Sequence, residues 1–448
     1  MQTPSHVPVR APLAVLLTSL GALVALLAAP PIPTVQDATT LPSASVVHLA
    51  IEGHVNAAPS IAARGALVAV GWGAQREGRW NIYAATSRDG GRSFSLPVRV
   101  NHVDGDGRVN GEIAPRIALV NRRGQADPDV MVAWNAKDAT TEIRIASSRD
   151  LGKSYAEGEA LQSAGAAGDR GWHALAIDRD GSAHAIWLDH RGLAEARRQA
   201  TASGAKTSPP GMDGLAMAQH STLRYAARGR TRVEDRVVAS GVCYCCKTAL
   251  VSTSKGMLAA WRHVYEGNMR DIAFAWLDRP VADAPARVSR DGWSINGCPD
   301  DGPALAVDAD ERVHAVWPTV EQGATPRGGI FYAVLEGASG FTPRLRVPTL
   351  GSPKPSHPQV AVEVSGRLHV AWDEVREGVR RAAIVSAASA AGQVPTFGAP
   401  RFVTSATVPS QYPVMAAVRG ALLIATMDGP SGQTVIGVRR VDSQAASR

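Results

Sequence analysis

Three cysteines within four residues, Cys243, Cys245 and Cys246 of Gly241-Val-Cys-Tyr-Cys-Cys-Lys247, are the side chains of this sequence best equipped for chemistry. The fourth and last cysteine, Cys298, lies in a second unusual run, Asn296-Gly-Cys-Pro-Asp-Asp-Gly-Pro303. Thiolates attack disulfides and bind soft metals, so three readings are open. One is a disulfide from Cys298 to one of the other three, with adjacent Cys245 and Cys246 poorly placed to pair with each other. The second is ligation of a soft metal, with copper(I) as the expected ion. The third is a reactive thiol. Zinc fits less well, because its paired cysteines usually stand two to four residues apart. In an extended chain Cys243 and Cys245 share a face and Cys246 takes the other. His173 and His263 could add nitrogen, giving Cys243, Cys245, Cys246, Cys298, His173 and His263 as the expected metal set.

The elements that must position these residues repeat. Seven openings lead into an apolar alternation, five of them from Pro: Pro59-Ser-Ile-Ala62, Pro115-Arg-Ile-Ala118, His173-Ala-Leu-Ala176, Lys247-Thr-Ala-Leu250, Pro303-Ala-Leu-Ala306, Pro358-Gln-Val-Ala361 and Pro413-Val-Met-Ala416. Six are followed by a second strand ending in Trp, at Trp72, Trp134, Trp187, Trp261, Trp317 and Trp372; the last has Leu422-Leu-Ile-Ala425 instead. From the third to the sixth repeat the opening and the Trp stand 14 residues apart. Short alternating strands at a period of roughly 55 to 70 residues predict an all-β propeller of four-stranded blades, seven most simply and six as the alternative. Ser45-Val-Val-His-Leu49 precedes any first strand, and the last repeat lacks a fourth, so pairing the two ends would close the ring.

With 448 residues and 45% hydrophobic composition the chain can bury a large core. The net charge of +7 comes from scattered Arg rather than a basic stripe, which argues against nucleic acid. Arg10 followed by the apolar Ala11–Ala29 stretch reads as a secretory signal over residues 1–29, with an uncleaved membrane anchor as the alternative. A Pro/Thr/Ser-rich tether over 30–44 and a single propeller over 45–441 follow. The expectation is export to the periplasm or beyond, where cysteines meet oxidising conditions.

Two turns, Ser87-Arg-Asp-Gly-Gly-Arg-Ser-Phe94 and Ser148-Arg-Asp-Leu-Gly-Lys-Ser-Tyr155, match the Asp-box, Ser-x-Asp-x-Gly-x-x-aromatic. On these residues the chain resembles the sialidase-like propellers, in which such boxes are structural. A sialidase would need three Arg, for which Arg116, Arg191 and Arg262 offer themselves, a Tyr nucleophile (Tyr412) and an acid or partner carboxylate (Asp373, Glu374). The early Arg-Ile-Pro of that family is absent.

Propeller geometry puts the starts of first strands and the ends of second strands on one face, around the channel mouth. The cysteines fall there, as do Arg116, Asp189, His190, Arg191, Arg262, Asp300, Asp301, Asp373, Glu374 and Tyr412, expected to hold a small-molecule, glycan or other ligand; Glu112 and His357 enter first strands at the same mouth. A segment from about Leu193 to His220, rich in small residues, is expected as a loop or lid on the same face. The function expected from the sequence is an exported, non-catalytic binding protein with a cysteine-lined mouth, possible for copper, and a monomer that could meet a protein partner. The alternatives are a sialidase-type exo-glycosidase and an interaction platform stapled by a disulfide.

Overall fold

The computed structural model describes residues 40–41, 45–122, 124–138, 140–163, 168–202, 214–281, 284–297, 299–323, 325–335, 340–388 and 393–442. The proposed leader over 1–29 and most of the tether lie outside these residues, as does Cys298. The described strands form seven four-stranded antiparallel sheets, six of them built from four consecutive strands. The seventh takes its outer strand from the start of the propeller: Val46–Leu49 pairs antiparallel with Val435–Asp442, His48 opposite Gly437. The inner strands are Val55–Arg64, Arg116–Val120, Arg170–Ile177, Ala249–Thr253, Ala304–Val307, Ser356–Val362 and Ser410–Val418. Each packs on the next, and the last packs on the first.

The Trp residues explain why blades stack. All six are almost fully buried between neighbouring sheets. An indole buried this way supplies a large apolar area, but its N–H needs an acceptor. Trp187, Trp261 and Trp372 find theirs two residues on, at Asp189 Oδ2 (3.3 Å), His263 Nδ1 (3.5 Å) and Glu374 Oε2 (2.6 Å). Trp72 donates to Asn56 Oδ1 (3.0 Å) and Trp317 to Asp291 Oδ2 (2.7 Å). A second repeated network holds the other end of three blades. His184, His314 and His369 bridge a turn carboxylate (Asp178, Asp308, Glu363) to a hydroxyl (Tyr225, Tyr332, Ser386).

Both Asp-boxes form the turn expected of them. Asp89 Oδ1 accepts the backbone N–H groups of Arg92 (2.9 Å) and Ser93 (3.0 Å), and Asp150 Oδ1 those of Lys153 and Ser154 (both 3.0 Å). The segment expected as a loop in blade three instead carries two helices, α1 (Arg191–Ala202) and α2 (Gly214–Gln219). Ala218 of α2 is fully buried, and Leu215 packs on the same apolar cluster as Cys243, Cys245 and Cys246.

Candidate functional site

Four inner strands begin with a β-bulge, where one strand carries an extra residue. The bulges fall between Ala57 and Ser60, Gly171 and Ala174, Ser356 and Gln359, and Gln411 and Val414. Within them Ala58, Trp172, His357 and Tyr412 adopt positive φ of 56°, 52°, 56° and 51°. A side chain in this region costs on the order of 1 kcal/mol or more, so the surrounding structure must enforce it. The effect is to turn His357 and Tyr412 toward the channel mouth, their rings 4.1 Å apart between centroids.

Asp373 fixes this pair. It is fully buried, and its Oδ2 accepts from His357 Nδ1 (2.7 Å) and from the Tyr412 backbone N–H (2.8 Å), while Oδ1 pairs with Arg380. Asp301 Oδ2 receives the His357 backbone N–H at 2.7 Å. From the opposite side of the ring comes the turn Asn110-Gly111-Glu112, in which Asn110 Oδ1 accepts the N–H groups of Glu112 (2.9 Å) and Ile113 (2.7 Å). Gly111 lies under the Tyr412 ring so closely that a Cβ there would stand 1.8 Å from Tyr412 Cζ. Only glycine allows this approach. Glu112, 3% exposed, then receives the Lys247 backbone N–H on Oε2 at 3.3 Å.

The electrostatics follow from this crowding. Burial pushes the Glu112 carboxyl up to about 7, with Lys247 opposing and Asp301 adding to the rise. Burial works against charge on His357, but the Asp373 carboxylate outweighs it and raises the imidazole to about 9. Burial and the Glu112, Asp373 and Asp300 charges all raise the Tyr412 phenol. The mouth therefore holds a carboxyl poised near neutrality, an imidazolium, and a phenol that stays protonated. Exposed Asp300 stands beside them, its carboxyl raised by burial despite His357.

The cysteines adjoin this cluster. The Sγ atoms of Cys243, Cys245 and Cys246 lie within 4.8 Å of one another, all three side chains buried. Cys245 is disulfide-bonded, whereas Cys243 and Cys246 are free thiols 3.3 Å apart. A disulfide sulfur is not a thiolate ligand, so three sulfurs converge but two are available to a metal. Arg270, fully buried, donates from Nη1 to Cys243 Sγ at 3.2 Å. The hydrogen bond with Cys246 lowers the Cys243 thiol to about 6, burial opposing and Arg270 and Arg262 assisting; burial then raises Cys246. Gly302 closes the seam between the two clusters, for a Cβ there would meet Lys247 O at 2.1 Å.

The remaining expected site residues are engaged in other contacts, although Arg116 still feels the Glu112 charge and Arg262 the Cys243 thiol. Among the described residues no histidine joins the sulfur group. His173 Nε2 faces Ala133 O (3.2 Å), and burial lowers its imidazole to about 3. His263 is spent on Trp261 and packs edge-on against Tyr265. His190 packs at a tilt against Trp172, ring centroids 5.5 Å apart, and is lowered to about 4 by burial. Asp189 and Glu374 serve the indoles described above; Glu374 also accepts the N–H groups of Leu350 and Ser352 (both 3.1 Å). The three Arg of a sialidase clamp are each engaged elsewhere. Arg116 donates to His173 O, Arg191 pairs with Asp189 and Asp235, and Arg262 binds the carbonyls of Asp301, Arg270 and Pro318. Conversely, Glu112 and His357 are expected at the mouth as first-strand entries, whereas Lys247, Arg380 and Arg270 are not among the expected ligands.

No family model matches the chain, and no curated protein matches it. Solved structures do. An α-L-arabinofuranosidase from Fusarium graminearum with an iminosugar inhibitor is similar at TM-score 0.51 and 10% identity, over 91% of this chain and 100% of that one. An ulvan lyase, a polysaccharide lyase, is similar at TM-score 0.50 and 12% identity, over 90% of this chain and 95% of that one. At these identities the likeness establishes the seven-bladed propeller, a fold shared with glycan-acting enzymes, and not the chemistry. The resemblance to sialidase-like propellers narrows accordingly to the propeller and its Asp-box turns.

Proposed function

We propose that this chain is an exported carbohydrate-active enzyme that cleaves a glycan at the channel mouth, with Glu112 as general acid. The observation that carries this reading is the buried Glu112 carboxyl, held up to about 7 beside Tyr412, Asp300 and the charged His357. Glycoside hydrolysis needs one carboxyl that stays protonated near neutrality and a second that stays ionised. Glu112 fits the first role and donates its proton to the leaving glycosidic oxygen. Asp300, exposed at the mouth, is the candidate for the second, either activating water or attacking the anomeric carbon; burial raises its carboxyl, and the His357 charge opposes that rise and favours the ionised form. The stacked His357 and Tyr412 rings, fixed by Asp373, offer a rigid floor for a sugar face. A neighbour of the same fold has been solved with arabinobiose, which is consistent with a carbohydrate ligand.

The test is turnover of a panel of arabinan, sialoside and uronate-bearing oligosaccharides, followed by new reducing ends. We expect kcat/KM to fall as pH rises above about 7, because the acid must be protonated, and Glu112→Gln to lower it by about 10²- to 10⁴-fold. An unsaturated product would replace hydrolysis by elimination. Binding without turnover, and unchanged by Glu112→Gln, would return the protein to the non-catalytic binder expected from its sequence.

A further inference from the structure

We propose that Cys243 and Cys246 form a buried two-thiolate site for a single soft monovalent metal ion, copper(I), with Arg270 and Arg262 as its charge-compensating wall. The site is independent of the glycan reading and is built from residues that reading does not use. Two free thiols already converge, 3.3 Å apart, with the Cys245 sulfur alongside. A small outward rotation of the two side chains would admit an ion between them.

The surroundings favour one class of ion. The cysteines lie in an apolar cluster with Val242, Val264, Leu215 and Met269. Such a pocket offers sulfur but, among the described residues, no histidine or carboxylate in the group. Hard cations need oxygen, and zinc usually needs four ligands; sulfur alone selects copper(I). Charge points the same way. Arg270 is fully buried, touches Cys243 through Nη1 and leaves Nη2 buried without a hydrogen-bond partner among the described residues. Arg262 is likewise buried, held by three backbone carbonyls. Two guanidinium groups beside two thiolates leave a small surplus with a monovalent ion and a larger one with a divalent ion, which low dielectric penalises.

The local fold also closes over the site. Gly214, at the start of α2, donates its N–H to Asn296 Oδ1 at 2.9 Å and sits against Arg270, where a Cβ would lie 2.6 Å from Nη2. The helical segment inserted in blade three thus covers the guanidinium that faces Cys243.

The experiment is anaerobic titration of the full chain with copper(I) against a competing chromophoric chelator, with the Cys245 disulfide left intact. One equivalent should bind, with an ultraviolet thiolate-to-copper band. Cys243→Ser and Cys246→Ser should each lower affinity at least about 100-fold, with circular dichroism unchanged. Arg270→Met should weaken binding about tenfold while keeping the band, an outcome a merely structural arginine would not give. No uptake by the reduced pair, retention of copper by both serine variants, or equal competition by zinc(II) would each overturn the proposal.

Discussion

Glu112 and His357 are shifted by the same burial with opposite outcomes, because their partners differ. Burial keeps the proton on Glu112, with Lys247 opposing and Asp301 adding; at His357 the same burial is overcome by the Asp373 carboxylate and the ring becomes charged. The sign of the pH dependence follows. A histidine raised above its ordinary 6.5 stabilises the fold fully below that value, and the contribution is lost as pH rises through about 9. Denaturant unfolding between pH 6 and 10 should therefore lose on the order of 2 kcal/mol from this largely buried pair. In Asp373→Asn this loss should be absent, since the carboxylate that raises the imidazole has gone. An unchanged alkaline limb in that variant would mean that other groups set it. Tyr412 rides on the same carboxylate through its backbone, so Asp373 positions both rings without touching solvent.

Between residue and blade, the informative unit is the second strand. Side chains two apart on a strand share a face, so the residue two after each Trp sits beside the indole. This is why Asp189, His263 and Glu374, which in the sequence look like ligands at a mouth, act as acceptors for buried N–H groups. The repetition of Trp-x-polar in three blades was the available sign that they are structural. Glu374 carries most, since it also holds the N–H groups of Leu350 and Ser352. Glu374→Leu should cost about 3 kcal/mol, because three donors lose their acceptor inside the fold. Thermal unfolding reads this directly, and a loss under about 0.5 kcal/mol would remove the carboxylate from the support of blade six. Ligand binding at the mouth should survive. The bulges belong to the same scale. His357 and Tyr412 each precede a Pro, a pattern visible in the sequence, but their left-handed backbone and inward aim depend on strand pairing that no short window shows.

At the scale of the molecule the seventh sheet joins distant parts of the chain, with Val46–Leu49 completing what Val435–Asp442 leaves unfinished. Deleting residues 1–49 should expose the edge of the strand ending at Asp442 and remove the buried Leu49 side chain. We expect a loss on the order of 3 kcal/mol and a tendency to associate, read by unfolding and by light scattering. Unchanged stability would show that the strand adds nothing. The sequence alone determined the blades: alternation at period two, Trp at fixed spacing and Asp-box turns are local, and stacking then has few solutions. The 14-residue register also put Cys243, Cys245 and Cys246 just ahead of an inner strand, where the structure has Ala249–Thr253 following them. Only tertiary structure decided which polar residues meet. Glu112 of blade two, Lys247 of blade four, His357 of blade six and Tyr412 of blade seven are joined by the curvature of the ring and by Gly111 beneath a tyrosine ring. Such contacts depend on distances across a closed disc, and those are properties of the packed whole rather than of any stretch of residues.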